Sequence, residues 1–125
     1  MKSIFFDEIE NTQDYAINEF KDEPLLIVSK AQTAGRGTNK NKWENADQSL
    51  ATSLAFNKEI VNFKKTLVPL LAGYSFVSLH QIEDLKLKWP NDITLNEDKV
   101  GGVLVEENND LICIGLSLIH ISEPT

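Results

Sequence analysis

The sequence predicts an α+β fold: a mixed, mostly antiparallel sheet with helices packed on one face. Strand-length apolar runs outnumber segments of helical periodicity, and in the second half short turn-forming sequences join one run to the next, which favours antiparallel neighbours. A length of 125 residues with 42% hydrophobic content allows one core and therefore one domain.

The elements follow in order. Residues 4–6 form a short strand, and Thr12 is placed to cap a helix running to about Phe20, with Tyr15, Ala16 and Phe20 on its inner side. Pro24 ends that segment, and Leu25, Leu26, Ile27 and Val28 make a second strand. Residues 32–48 contain two glycines and read as a loop. Over residues 49–56 the large side chains Leu50, Leu54 and Phe56 share one parity with Thr52, while Ala51, Ser53 and Ala55 share the other. Residues 66–81 carry the strongest helical pattern, with Pro69 tolerated in the first turn. Apolar residues on all its faces predict deep burial. Residues 85–89, 92–95, 99–106 and 111–115 are strands, with Asn96-Glu97-Asp98 and Asn108-Asn109-Asp110 as turns.

Composition excludes several classes. Nineteen acidic against twelve basic residues give a net charge of -7, which opposes adhesion to polyphosphate or anionic lipid and argues against nucleic acid as the main partner. The N-terminus meets acidic residues before any signal-peptide-length apolar stretch, and the longest apolar stretch, residues 67–79, is too short to span a bilayer. A cytoplasmic protein without a membrane partner is expected. The single Cys113, among Leu111, Ile112 and Ile114, reads as a buried strand residue rather than a nucleophile.

Three segments could carry chemistry. In the run from Gln32 to Trp43, Gly35 and Gly37 flank Arg36, so the backbone can approach a ligand while the guanidinium offers planar, charge-assisted hydrogen bonds to phosphate or carboxylate; a solvated surface loop is the bland alternative. Lys40 stands where a dinucleotide fingerprint needs its third glycine, and no Gly-Lys-Ser/Thr follows. In Lys88-Trp89-Pro90-Asn91-Asp92 a proline breaks a strand just before an amide and a carboxylate; a plain turn with a buried tryptophan is the competing reading. In Lys99-Val100-Gly101-Gly102-Val103-Leu104-Val105-Glu106, paired glycines inside a strand mark a bulge or a backbone lying against something else, whether a ligand or a neighbouring element.

In this order the three segments resemble the biotin–protein ligase family, which carries a Gln-x-Ala-Gly-Arg-Gly loop, a Lys-Trp-Pro-Asn-Asp step and a Lys-x-Gly-Gly-Val/Ile-Leu-Val-Glu strand. The resemblance runs from about Ile9 to Gly115. It implies the fold shared with class II aminoacyl-tRNA synthetases, and a reaction in which ATP activates biotin to biotinyl-adenylate before transfer to a lysine of a biotin carboxyl carrier protein. Biotin and ATP are then substrates, with Mg2+ accompanying them. Alternatives are a lipoate or octanoate relative, and a non-catalytic biotin- or adenylate-binding fragment.

The resemblance also implies roles. Glu10-Asn11-Thr12-Gln13 stands where the family has an Asp-Ser-Thr-Asn run at the biotin ureido group, so Thr12 matches while Asn11 and Gln13 depart. Gln32 matches a glutamine beside biotin; Gly35, Arg36 and Gly37 match the loop that closes over biotin and the adenylate. Trp43 and Asn91 join the binding set, and Gly102 allows close backbone approach to biotin. Arg36, Lys99 and Asp92 are the expected catalytic residues: Arg36 on the adenylate, Lys99 at the reacting carboxylate and α-phosphate, Asp92 near the incoming lysine. Lys40 and Asn41 replace a further Gly-Arg step of the family loop. No winged-helix repressor domain is expected.

Residues 1–115 are expected to be a partial catalytic domain. Residues 116–125, from Leu116 through His120 to Thr125, resemble one reading frame of a commonly used transposon end, so a non-native tail is expected there, with a divergent native strand as the alternative.

Overall fold

A computed structural model describes residues 1–35, 49–89 and 91–119. The expected loop therefore lies largely outside the described residues, and Arg36, Gly37, Trp43 and Pro90 fall there too. The described chain runs β1 (Lys2–Phe6), α1 (Thr12–Glu19), β2 (Leu25–Ser29), β3 (Ser49–Asn57), α2 (Val68–His80), β4 (Leu85–Lys88), β5 (Asp92–Leu95), β6 (Asp98–Glu107) and β7 (Leu111–Ile119), with single 3₁₀ turns at Lys58–Ile60 and Lys65–Leu67.

All seven strands join one sheet in the order β1-β2-β3-β7-β6-β5-β4. β1 and β2 are parallel and are joined through α1, the kind of crossover that parallel neighbours need, and the other pairs are antiparallel. The later strands form a meander, since connections of only two or three residues favour the adjacent strand as partner. β7 runs past Gly115 without interruption, pairing Leu116 with both Thr52 and Val103.

The α+β class and the mostly antiparallel sheet are as expected. One detail differs, because the two helices lie on opposite faces of the sheet rather than on one. Along β7, Leu111 and Cys113 pack with Ala16 of α1, whereas Ile114, Leu116 and Leu118 pack in the cluster that holds Ala72, Phe76 and Val77 of α2. Alternate strand residues point to opposite faces, so a strand apolar at both parities needs cover on both sides.

On the first face Ala16, Leu25, Ile27, Ala55 and Cys113 are fully or almost fully buried, with Phe6 and Tyr15 in edge-to-face contact at 5.1 Å. In β3 the buried parity is the small one, Ala51, Ser53 and Ala55, which lets α1 approach closely. The deep burial expected of α2 is not found: Val68 and Gly73 are buried, whereas Leu71, Tyr74 and Leu79 are 47, 64 and 80% exposed. A helix beside a sheet has one contact stripe, and apolar composition all round does not create a second. Gln81, at φ 47°, closes α2 in the left-handed region. No helix among the described residues is long and apolar enough to cross a membrane.

Candidate functional site

The first half of the site is built at the N-terminus of α1. Asn11, not Thr12, is the N-cap: its Oδ1 accepts from the Asp14 N–H at 3.0 Å, and its Nδ2 donates to the Ala34 carbonyl at 2.9 Å. That second bond ties the helix start to the segment after β2, together with the Ala34 N–H to Glu10 carbonyl bond at 2.8 Å and the Ile9–Gln32 bridge. Thr12 and Gln13 are thereby released from capping and directed onto the sheet.

Thr12 N–H donates to Gln32 Oε1 at 2.8 Å, and the Thr12 hydroxyl lies 3.1 Å from the same oxygen and 2.8 Å from Ser53 Oγ. Ser53 Oγ donates to Gln13 Oε1 at 2.7 Å, while Gln13 Nε2 donates to the carbonyls of Leu104 and Cys113, both at 3.1 Å. These side chains are nearly inaccessible, and no buried side-chain nitrogen or oxygen among the described residues lacks a partner. A fully satisfied buried network is rigid, which suits a binding floor.

The other half comes from β5 and β6. Asp92 pairs with Gly102 and Ile93 with Gly101, but Thr94 pairs with Lys99, so Val100 is an extra residue in β6. This bulge turns Lys99 onto the same face as Gly102 and Asp92, whereas unbroken alternation would send it to the opposite one. Lys99 Nζ then lies 3.0 Å from Asp92 Oδ1. An ion pair this open to water, with its side chains 48 and 30% exposed, adds about 0–1 kcal/mol of stability, so stability alone does not account for its position.

The two glycines differ in what surrounds them. A Cβ on Gly101 would fall 2.7 Å from the Ser117 carbonyl and 2.7 Å from Leu118 Cδ2, so Gly101 is required by packing. A Cβ on Gly102 would meet nothing closer than 3.8 Å, so Gly102 keeps space open on the cleft side. Asn91 is held by two bonds to Val103, its Nδ2 donating to the carbonyl at 3.0 Å and its own carbonyl accepting the N–H at 2.9 Å. Trp89 is 73% exposed, against the plain-turn reading in which it is buried.

One cleft on the α1 face gathers Thr12, Gln32, Asn91, Asp92, Lys99 and Gly102 from the three sequence segments and the start of α1. Gly35 adjoins it, its Cβ position lying 2.8 Å from Gln32 Nε2. Arg36, Gly37 and Trp43 lie outside the described residues. Sequence reasoning left Asn11, Gln13, Ser53, Gly115 and Ser117 out of the site, although all line the cleft. The signal for Ser53 was the small parity of β3. For Gly115 there was none until its Cβ position proved to lie 2.6 Å from Gln13 Oε1, a partner about a hundred residues away.

The Biotin/lipoate A/B protein ligase family matches residues 5–118. The chain belongs to this family. It is 30% identical to biotin–protein ligase 2 of Arabidopsis thaliana, covering 94% of this chain and 40% of that protein. With the bifunctional ligase/repressor BirA of Bacillus subtilis it shares 32% identity over 82% of this chain and 34% of the relative. Among solved structures, biotin acetyl coenzyme A carboxylase synthetase from Helicobacter pylori with bound biotinylated ATP superposes with a TM-score of 0.87 at 33% identity, over 98% of this chain and 62% of the other. Biotin protein ligase from Aquifex aeolicus in complex with biotin and ATP gives 0.81 at 28% identity, over 98% and 55%. This family member thus spans less than two thirds of the length of each of these relatives.

Proposed function

We propose that this chain carries the catalytic part of a biotin–protein ligase, which uses ATP to convert biotin to biotinyl-adenylate and transfers biotin to a lysine of a biotin carboxyl carrier protein. The observation that carries the reading is the convergence of Thr12, Gln32, Asn91, Asp92, Lys99 and Gly102 on one cleft. Similarity to ligases solved with biotin, ATP or biotinylated ATP supports the substrate class.

The chemistry suits these groups. In the first step a carboxylate oxygen of biotin attacks the α-phosphorus of ATP, an oxygen–phosphorus bond forms and pyrophosphate leaves. Two anions must meet, so a fixed ammonium at Lys99 lowers the barrier by stabilising charge that builds up between them. Arg36, which follows Gly35 in the sequence, is assigned to the adenylate. In the second step the amine of the carrier lysine attacks the acyl carbon, a carbon–nitrogen bond forms and AMP leaves. The amine must lose a proton, and the Asp92 carboxylate is the acceptor at the cleft, a role worth on the order of 100-fold in rate.

Among the described residues no group of three or more His, Cys, Asp or Glu side chains could hold a metal. Mg2+ would arrive with the nucleotide phosphates, its usual partners.

The test is direct. Incubated with biotin, ATP and a biotin carboxyl carrier protein, the chain is expected to add one biotin to the carrier, read by intact mass. A lipoate arm run in parallel distinguishes the sister activity, and transfer of lipoate with none of biotin would overturn the reading. A cytoplasmic location completes the proposal.

A further inference from the structure

The buried network beneath the cleft has a direction that its distances determine. Both Gln13 Nε2 hydrogens are committed to backbone carbonyls, those of Leu104 and Cys113, so Gln13 Oε1 can act only as an acceptor. The 2.7 Å contact between that oxygen and Ser53 Oγ therefore requires the Ser53 hydrogen. With its hydrogen spent, Ser53 can only accept in the 2.8 Å contact with Thr12, whose single hydrogen is shared between two acceptors, Ser53 Oγ and Gln32 Oε1 at 3.1 Å. Both hydroxyl hydrogens point into the protein.

On the other side of Thr12, Gln32 Oε1 is held by the Thr12 N–H, which leaves Gln32 Nε2 on the side where Gly35 makes room. The cleft floor thus offers hydroxyl lone pairs next to an amide N–H2.

We infer that Gln13 is a positioning residue that sets the ligand specificity of the floor by fixing the direction of the Ser53 hydroxyl, which leaves the Thr12 hydrogen only acceptors within the protein. The floor then accepts a planar group bearing N–H beside C=O, as in a cyclic urea: the N–H meets the hydroxyl oxygens and the carbonyl meets Gln32. A dithiolane ring has neither group and leaves the floor's polar atoms unpaired, the situation in which a polar site discriminates most strongly. Gly115 belongs to the same device, because any Cβ there would displace Gln13 Oε1. The inference rests on the proposed biotin site and adds to it a residue that acts through the Ser53 hydroxyl.

The experiment measures the affinity of the chain for biotin and for biotin methylated on a ureido nitrogen, in the unaltered protein and in Gln13→Met, Ser53→Ala and the double variant. Gln13→Met is expected to weaken biotin about 10-fold and to shrink the preference for biotin over the methylated analogue by a similar factor, because Ser53 is then free to turn its hydrogen toward the cleft. The double variant is expected to cost little more than either single change, since both break the same relay. Should Gln13→Met fail to fold by circular dichroism, Gly115→Ala takes its place, with the same loss of preference expected. Equal weakening of both ligands, or additive losses in the double variant, overturns the inference while leaving the biotin site standing. An unaltered chain that binds no biotin overturns the site itself.

Discussion

At the scale of single residues, Gly101 and Gly102 are neighbours whose substitution separates folding from binding. Gly101→Ala drives a methyl against the Ser117 carbonyl, a backbone atom that cannot rotate away, and is expected to cost about 1–3 kcal/mol in denaturant unfolding. Gly102→Ala has room and is expected to leave stability within about 1 kcal/mol, yet to weaken biotin binding because the methyl enters the cleft. The opposite pattern in paired melts and titrations would reverse the two assignments. Lys99→Ala, removing a cation that contributes about 0–1 kcal/mol to the fold, is expected to keep the melting temperature and to reduce pyrophosphate release at least about 100-fold. Wild-type release would remove Lys99 from the first step. The paired glycines Gly101 and Gly102 stood out in the sequence as a bulge or a backbone lying against a ligand or a neighbouring element, and Lys99, Gly102 and Asp92 took their expected roles from the family resemblance. Which glycine packs and which faces the cleft was not legible, because the answer depends on Val100 being an extra residue in β6.

Elements repeat the lesson at longer range. The hairpins from β4 to β7 were legible because turn residues sit between short apolar runs, so local chemistry fixes both the turn and the neighbour. The β5–β6 turn is tight: Asn96 and Glu97 have φ of 52° and 73°, both in the left-handed region, as a two-residue hairpin loop demands. Asparagine tolerates that conformation; glutamate does not. Glu97→Gly is therefore expected to stabilise the chain by about 1 kcal/mol, read as an upward shift of the denaturation midpoint at constant slope, with no change in ligand affinity. A fall in the midpoint would mean that the Glu97 side chain contributes more than its backbone strain costs. The N-cap of α1 shows the limit of local reading. Thr12 and Asn11 both suit a cap, and what selects Asn11 is its Nδ2 bond to the Ala34 carbonyl, a contact 23 residues away.

For the whole molecule, periodicity gave the presence of two helices but not the faces they cover. Strand β7 alternates Leu111 and Cys113 with Ile114, Leu116 and Leu118, and only tertiary pairing reveals that both parities are apolar sheet surfaces with a helix each. The cleft forms on the α1 face because small residues there, Ser53, Gly102 and Gly115, leave space between helix and sheet. On the other face α2 covers β4, β5 and β6 with one stripe and turns Leu71 and Tyr74 outward at 47 and 64% exposure, in line with Leu67 of the preceding 3₁₀ turn at 42%. An outward apolar stripe favours association while contributing little to the fold that bears it. Replacing it by Leu71→Glu with Tyr74→Lys places an oppositely charged pair three residues apart on a solvated helix face. The expected outcome is unfolding free energy unchanged within about 0.5 kcal/mol and a lower light-scattering signal at high concentration. A loss above about 2 kcal/mol would show instead that α2 is held by its outer face as much as by its inner one.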